Sequence, residues 1–172
     1  THNYKGRAGQ GSAFVCIKGY ETDGHKYAKN AEEKGASVIV AQDDVDVSCP
    51  VVKVKDTRRA LAVLCGNFYN NPSKEFKLIG ITGTNGKTTV THLLQKIFEQ
   101  NEQKCALIGT LGYKLSSNGE YRDAKHTTPQ APELQSLLYD INEKCIDNVV
   151  MEVSSHSLVQ HRVDYVDFNG AV

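Results

Sequence analysis

The fold is decided by one stretch, Gly80-Ile81-Thr82-Gly83-Thr84-Asn85-Gly86-Lys87-Thr88-Thr89, which joins a short apolar run to an amphipathic segment. Glycines let the backbone turn so that successive N–H groups point into one hollow, and the following helix adds its unpaired amide donors. Lys87 supplies a positive charge for β- and γ-phosphates, and the Thr88 hydroxyl can ligate Mg²⁺. The stretch therefore predicts a phosphate-binding loop for ATP.

The loop departs from the strict pattern G-x-x-x-x-G-K-[ST], because Ile81 stands where the first glycine belongs. The alternative is a glycine-rich turn before a helix, with Lys87 in solvent. Lysine is unfavourable beside the positive end of a helix unless an anion is bound there, so the spacing favours a phosphate site. The residues that we expect to contact ATP are Gly83, Thr84, Asn85, Gly86, Lys87, Thr88 and Thr89.

Short β-branched runs and helical periods alternate on both sides of this loop, which predicts an α/β fold with parallel sheets. After the loop we expect a helix over residues 88–101 with Leu93, Leu94 and Ile97 facing inward, and a hairpin over 111–122. A further helix is expected over 132–144, and strands are expected over 78–82, 105–109 and 148–153.

The residues before the loop form a separate α/β pattern, with strands expected over 12–17, 37–41 and 51–54 and a helix over 25–34. Asp56 or Thr57 can cap a second helix that places Ala60, Leu61, Leu64 and Phe68 on one face. Proline after paired asparagines, Asn70-Asn71-Pro72, ends that helix. We therefore predict two domains, residues 1–73 and 74–172.

Composition narrows the class of protein. The 172 residues are 40% hydrophobic and 23% charged, with 20 basic and 20 acidic residues, which indicates a globular chain without the basic excess of a nucleic-acid binder. No run is long and apolar enough for a membrane span, so we expect no membrane insertion. Five scattered cysteines are interpreted as core residues of a cytoplasmic protein, which we expect to be a monomer. Residues 168–172 resemble a strand that is just beginning, which suggests a fragment of a longer enzyme.

Glu152 ends the apolar run Val149-Val150-Met151. A carboxylate at the carboxyl end of a parallel strand lies at the mouth of the sheet, near the phosphate loop. There it can hold Mg²⁺ opposite the γ-phosphate, with Thr88 as the other metal ligand. The alternative is an acid on the surface at a strand end.

The loop Thr82–Thr89 resembles the ATP loop of the Mur ligases, which are ATP-dependent amide ligases of peptidoglycan synthesis. His126-Thr127-Thr128-Pro129 resembles the family's Thr-Thr-Pro loop, and the block from Met151 to Val163 resembles the segment after the next strand. The segment Phe14–Gly19 with Thr22-Asp23-Gly24-His25 resembles the uridine-binding domain of the MurE type. The resemblance implies an N-terminal substrate domain followed by part of the central ATP-binding domain. The family's Asp-Ser-Arg near the start has no counterpart in residues 3–11.

The resemblance also implies partners and mechanism. The substrates of MurE-type enzymes are UDP-N-acetylmuramoyl-dipeptide and an amino acid, joined through an acyl phosphate made with ATP and Mg²⁺. Lys87 and Glu152 are the implied catalytic residues, and the fragment alone is expected to be inactive. The implied substrate-binding residues are Tyr20, Glu21, Thr22, Thr127, Thr128, Ser154, Gln160 and Arg162.

Five of the implied substrate-binding residues also have a plain structural interpretation. Thr127 and Thr128 could cap a helix, Ser154 could lie in a turn, and Gln160 and Arg162 could belong to a solvated face. For His156 and His161 we expect hydrogen-bonding or packing roles rather than metal binding. A folylpolyglutamate or cyanophycin synthetase, and a nucleotide-binding module without catalysis, are the alternative functions.

Overall fold

The computed structural model describes residues 10–20, 22–116, 118–123 and 126–172. Backbone contacts divide the chain into two units, one ending at Leu61 and the other beginning at Ala62. This division falls inside a helix, earlier than the predicted domain boundary after residue 73, which stays a prediction. Each unit has its own sheet with parallel strands, so the predicted α/β class is confirmed.

The N-terminal unit is a three-stranded parallel sheet in the order β1-β2-β3. β1 is Ser12–Val15, β2 is Ala36–Ala41 and β3 is Val51–Lys53. The crossover from β1 to β2 consists of a 3-10 helix, Gly24–Tyr27, followed by α1, Ala28–Glu33. The unit buries mostly small side chains, namely Cys16, Ala28, Ala31, Ala36, Ile39 and Ala41.

Helix α2, Thr57–Phe68, begins as predicted after Asp56, whose carboxylate accepts hydrogen bonds from the Arg58 and Arg59 backbone N–H groups at 2.8 and 3.0 Å. The apolar face predicted for this helix is not its buried face, because Leu64 is 43% exposed and Phe68 is 82% exposed.

The small residues of α2 are buried instead. Ala62 is fully buried, and a Cβ at Gly66 would lie 3.0 Å from the Asn71 side chain and 3.4 Å from Tyr165. Close approach of the helix backbone therefore decided which face is buried, and hydrophobic spacing did not.

The C-terminal unit has five strands in the order β6-β5-β7-β4-β8. Their bounds are Lys77–Ile81 for β4, Cys105–Gly109 for β5, Gly112–Lys114 for β6, Asn148–Glu152 for β7 and Gly170–Ala171 for β8. All neighbouring pairs are parallel except β5 with β6. The predicted strands and the hairpin are confirmed, since Tyr113 also pairs with Arg122 on the returning segment.

Helices cover both faces of this sheet. One face is covered by α3, Lys87–Gln100, and the other by α4, Ala131–Glu143. The unit also contains the short α5, Ser155–Val159, and a 3-10 turn, Pro72–Lys74. Alternate residues of each strand point to opposite faces, so Ala106 and Ile108 pack with α4 while Cys105 and Leu107 pack with α3. Burial on both faces explains the continuous apolar runs of the strands.

The buried face of α3 differs from the prediction. Leu94 packs against the sheet as expected, but Leu93 and Ile97 are 57% and 54% exposed. Thr91 and Gln95 are buried in their place because backbone carbonyls satisfy them: Thr91 Oγ1 donates to Thr88 O at 2.9 Å, and Gln95 Nε2 donates to Cys105 O at 2.8 Å.

The prediction that the cysteines are core residues is confirmed for Cys16 and Cys105 and is wrong for Cys145, which is exposed. All five cysteines are free, and Cys16 and Cys105 are fully buried. Burial raises the pKa of the Cys16 and Cys65 thiols to about 11 and that of Cys105 to about 12, which keeps these three thiols protonated at neutral pH. Among the described residues, no helix combines the length and apolar character that a membrane crossing needs.

Replacing Asp56 by alanine tests the cap of α2. The substitution removes the acceptor for two amide donors, so we expect the free energy of unfolding to fall by about 1 kcal/mol in urea titrations followed by circular dichroism. Asp46→Ala, at an exposed position, is the matched control and should change stability by less than about 0.5 kcal/mol. Equal effects of the two substitutions would contradict the assignment.

Candidate active site: a phosphate loop beside a buried carboxylate

The phosphate loop connects the end of β4 at Ile81 to the start of α3 at Lys87, as predicted. Gly83 and Gly86 have φ angles of 134° and 82°, which side-chain-bearing residues rarely adopt. These two glycines turn the chain so that the exposed loop leads directly into the first, unpaired N–H groups of α3. Lys87 folds back over the loop, and its Nζ donates to Gly83 O at 2.7 Å. The loop thus presents amide donors and one ammonium group together.

Glu152 is the last residue of β7 and pairs in register with Ile81, the last residue of β4. This register places the carboxylate beside the phosphate loop, as expected from sequence. Glu152 is only 1% exposed, so the surface-acid alternative is wrong. The Thr88 hydroxyl donates to Glu152 Oε1 at 3.0 Å, which brings the two predicted metal ligands together.

Thr110 completes the surroundings of Glu152 and was missed by sequence reasoning. Its backbone N–H donates to Glu152 Oε1 at 3.1 Å, and its hydroxyl donates to Oε2 at 3.0 Å. The preceding residue, Gly109, makes room for the carboxylate, since a Cβ there would lie 2.3 Å from Oε1. A signal did exist: Gly109 and Thr110 stand at the carboxyl end of β5, the edge where the sites of open α/β sheets form.

His92 and Tyr121 form a second pair that sequence reasoning missed. His92 Nδ1 lies 2.6 Å from Thr88 O, so it must donate, and in the neutral ring Nε2 accepts the hydrogen bond of the Tyr121 hydroxyl. The Lys114 ammonium lies 5.0 Å from the centre of the Tyr121 ring. Partial burial and the negative charge of Glu152 raise the pKa of Tyr121. The pair ties the hairpin to the first turn of α3.

The predicted substrate residues of the C-terminal unit come together next to the carboxyl end of β7. Thr128 is fully buried; its hydroxyl donates to the backbone carbonyl of Glu152 at 2.9 Å and accepts from Ser154 N at 3.1 Å. Thr127 is only partly buried, and its hydroxyl lies 3.1 Å from that of Thr110. Neither threonine caps α4, whose N-cap is Gln130. Thr128 therefore holds the loop from inside, while the half-buried Thr127 contacts Thr110.

Arg162 braces the same loop. Its Nε and Nη2 atoms donate to Gln160 Oε1 at 3.0 and 2.7 Å, and its Nη1 donates to the Thr128 carbonyl at 2.9 Å. Ser154 caps the short helix α5 by accepting from Ser157 N at 3.2 Å. Substrate contacts by these residues stay predictions, but the geometry excludes a purely solvated face for Gln160 and Arg162.

The predicted uridine-binding residues lie in the N-terminal unit. Tyr20 is 85% exposed, Thr22 is exposed and accepts at its carbonyl from Gly19 N at 2.9 Å, and Glu21 lies outside the described residues. Their contact with a nucleotide stays a prediction.

A three-residue cluster of possible metal ligands was not anticipated from sequence: Asp23, His25 and Asp43. Both ring nitrogens of His25 already have partners, because Nδ1 lies 2.6 Å from Asp23 Oδ1 and Nε2 accepts from the Gln42 and Asp43 backbone N–H groups at 3.0 and 3.2 Å. Hydrogen bonds from the His25 backbone and ring lower the pKa of Asp23. Asp43 also pairs with Lys18 at 2.6 Å, so the cluster is a structural network. His161, the other histidine of interest, pairs with Asp164 at 2.9 Å.

This arrangement defines an α/β nucleotide-binding unit with a phosphate loop and an adjacent acidic residue. Residues 81–172 match the family described as the Mur ligase middle domain, and residues 4–69 match the family described as Mur ligase family, catalytic domain. The chain belongs to the Mur ligase family.

Curated relatives agree with this assignment. The chain is 48% identical over 168 residues to UDP-N-acetylmuramoyl-L-alanyl-D-glutamate--2,6-diaminopimelate ligase of Clostridium botulinum, covering 95% of this chain and 34% of that protein. It is also 48% identical over 159 residues to the ligase of that name from Bacillus licheniformis, covering 92% and 32%. The chain thus spans about a third of the length of these relatives.

Solved structures show the same architecture. A ligase of that name superposes with a TM-score of 0.82 at 27% identity, over 96% of this chain and 34% of that chain. The MurF ligase of Thermotoga maritima, solved in complex with ADP, has a TM-score of 0.56 at 19% identity over 94% of this chain and 34% of its own, which shows a shared fold.

Replacing Gly109 by alanine tests the packing around the carboxylate. The new Cβ would overlap Glu152 Oε1, so we expect a loss of about 1–3 kcal/mol in stability, or roughly 2–12 °C in melting temperature.

Gly170→Ala is the matched control, because a Cβ there meets nothing within 4 Å. Its melting temperature should be unchanged or slightly higher. If Gly109→Ala melted like Gly170→Ala, the carboxylate would not occupy the position described.

Proposed function

We propose that this chain is the nucleotide-binding part of an ATP-dependent amide ligase of peptidoglycan precursor synthesis. In this proposal the parent enzyme adds 2,6-diaminopimelate to UDP-N-acetylmuramoyl-L-alanyl-D-glutamate, the activity for which the relatives are named. The observation that carries the proposal is the meeting of Lys87, Thr88 and Glu152 at one edge of the sheet. Cytoplasmic location and a monomeric state stay predictions from the sequence.

The donor set at this edge fits Mg²⁺. Thr88 Oγ1 and Glu152 Oε1 are hard oxygen atoms only 3.0 Å apart, the ligand type that Mg²⁺ prefers. Every hydrogen bond that the described residues give to the Glu152 side chain comes from a neutral donor, whereas a buried carboxylate is normally paired with a cation. Bound there, Mg²⁺ supplies neutralisation of charge on the phosphates during phosphoryl transfer.

In the proposed reaction, the residues of this chain have separate roles in phosphoryl transfer. The amides of the loop and the α3 N-terminus bind the phosphates, and Lys87 exchanges its bond to Gly83 O for a phosphate oxygen. The carboxylate of the substrate's D-glutamate attacks the γ-phosphorus, the bond to ADP breaks, and an acyl phosphate results. The incoming amine then displaces phosphate to form the amide. Positioning and charge neutralisation account for most of the acceleration.

We further propose that the acceptor lies against the loop of Thr127 and Thr128. This loop is anchored to the backbone of Glu152 through Thr128, and Arg162 holds it from the other side. The substrate carboxylate that is activated then lies close to the phosphate loop, because the acceptor loop is anchored at the end of β7 and the phosphate loop follows the neighbouring strand β4. The N-terminal residues 1–73, with Tyr20, Glu21 and Thr22, complete the proposal as the uridine-binding domain.

Lys87→Ala tests the nucleotide site. Mg-ATP at ~100 times its dissociation constant should stabilise the wild-type chain by about 2.7 kcal/mol, or roughly 5–10 °C in melting temperature. Lys87→Ala should lose most of this shift and keep its melting temperature without ligand, because the side chain is partly exposed and beside a like-signed helix end.

Lys96→Ala, which removes an exposed lysine of the same helix, is the control and should retain the full shift. A wild-type chain that melts cooperatively with no shift at millimolar Mg-ATP would disprove nucleotide binding.

Arg162→Lys tests the acceptor loop. An ammonium group cannot reproduce the planar fork on Gln160 together with the bond to Thr128, so binding of UDP-N-acetylmuramoyl-L-alanyl-D-glutamate should weaken by about tenfold. Isothermal titration calorimetry measures the change. Arg59→Lys, at an exposed position, should bind like wild type; identical affinities for all three chains would remove Arg162 from the acceptor site.

A further inference from the structure

We propose that Thr110 is a positioning residue that holds the Glu152 carboxylate in the orientation needed to ligate Mg²⁺ beside the phosphate loop. This inference rests on the proposed function, because it concerns the metal-binding step of the same site. It assigns a task to a residue that belongs neither to the loop nor to the predicted ligand pair.

The geometry distinguishes the two oxygens of the carboxylate. Oε1 accepts from the Thr88 hydroxyl at 3.0 Å and from the Thr110 backbone N–H at 3.1 Å. Oε2 accepts from the Thr110 hydroxyl at 3.0 Å, and no other described residue donates to it. The two bonds to Oε1 hold that oxygen alone, so the position of Oε2, and with it the plane of the carboxylate, depends on a further donor. The Thr110 hydroxyl is therefore the group that fixes its plane.

The direction of the proton follows from chemistry. An ionised carboxylate only accepts hydrogen bonds, so Thr110 must give its single hydroxyl proton to Oε2. The contact of 3.1 Å between the Thr110 and Thr127 hydroxyls then requires Thr127 to be the donor. Because Thr127 is the donor in this contact, the Thr110 hydroxyl keeps its own proton for Glu152.

Local structure explains why Thr110 can make both bonds. It follows Gly109, the last residue of β5, where the absence of a Cβ lets the carboxylate approach the backbone. The backbone N–H and hydroxyl of Thr110 therefore meet opposite oxygens of one carboxylate. Because the carboxylate is already oriented, it loses less conformational entropy when it adopts the one geometry in which it can ligate Mg²⁺.

The test compares Thr110→Val with Thr110→Ser in the 172-residue chain. Valine preserves the branched shape and the backbone N–H but removes the hydroxyl, whereas serine keeps the hydroxyl. Calorimetric titrations of ATP at a series of Mg²⁺ concentrations give the Mg²⁺ concentration for half-maximal enhancement of binding. Parallel titrations in EDTA give the affinity for metal-free ATP.

We expect Thr110→Val to raise that Mg²⁺ concentration by at least about tenfold, the effect of losing one hydrogen bond to a charged acceptor. Its affinity for metal-free ATP should be unchanged, a result that general damage to the fold would not produce. Thr110→Ser should restore the wild-type Mg²⁺ dependence.

Different results overturn different statements. Wild-type Mg²⁺ dependence in Thr110→Val, or equal losses in the valine and serine variants, would overturn the role of the Thr110 hydroxyl while leaving nucleotide binding intact. Equal weakening with and without metal would also overturn it, because the effect would then not pass through the carboxylate. A wild-type chain that binds no ATP at any Mg²⁺ concentration would overturn the proposed function and this inference together.

Discussion

Burial of the Glu152 carboxylate is the constraint on which the C-terminal unit depends. A buried negative charge without a cation must be surrounded by donors, and Thr88 and Thr110 supply them from α3 and from the end of β5. Gly109 makes room for the carboxylate, because the carboxylate occupies the space that a Cβ at Gly109 would fill. The backbone carbonyl of Glu152 also anchors Thr128, whose hydroxyl donates to it. Three other segments of the chain thus converge on one glutamate: the start of α3, the end of β5 and the loop of Thr128.

The parallel sheet makes this convergence possible. β7 lies between β4 and β5, and its register pairs Glu152 with Ile81 and Met151 with Ile108. Because the strands run in one direction, their carboxyl ends meet at one edge, where each connection leaves the sheet. The phosphate loop, Thr110 and Ser154 follow these three strands, so segments distant in sequence become neighbours.

The position of Glu152 at the end of β7 gives the proposed reaction a physical basis. The side chain of Glu152 faces the phosphate loop, while its main chain holds the loop that we propose for the acceptor. The distance between the proposed phosphoryl donor and its acceptor is then set by the rigid strand β7. Catalysis by positioning requires this kind of fixed separation.

The sequence by itself determined the α/β class, the bounds of most strands and the phosphate loop, because these depend on local periodicity and on glycines at defined places. It also predicted that Glu152 and Thr88 lie together beside this loop, since a strand end and a helix start are local features. The buried faces of α2 and α3 were decided only by tertiary structure: Gly66 permits close backbone approach, and the Cys105 carbonyl of β5 satisfies Gln95, while Thr91 is satisfied within its own helix by the Thr88 carbonyl. Thr110, His92 and Tyr121 likewise acquired their places through partners far away in the chain. Hydrogen bonds between distant segments have no period in a sequence, and only the folded sheet brings such partners within 3 Å or so of one another.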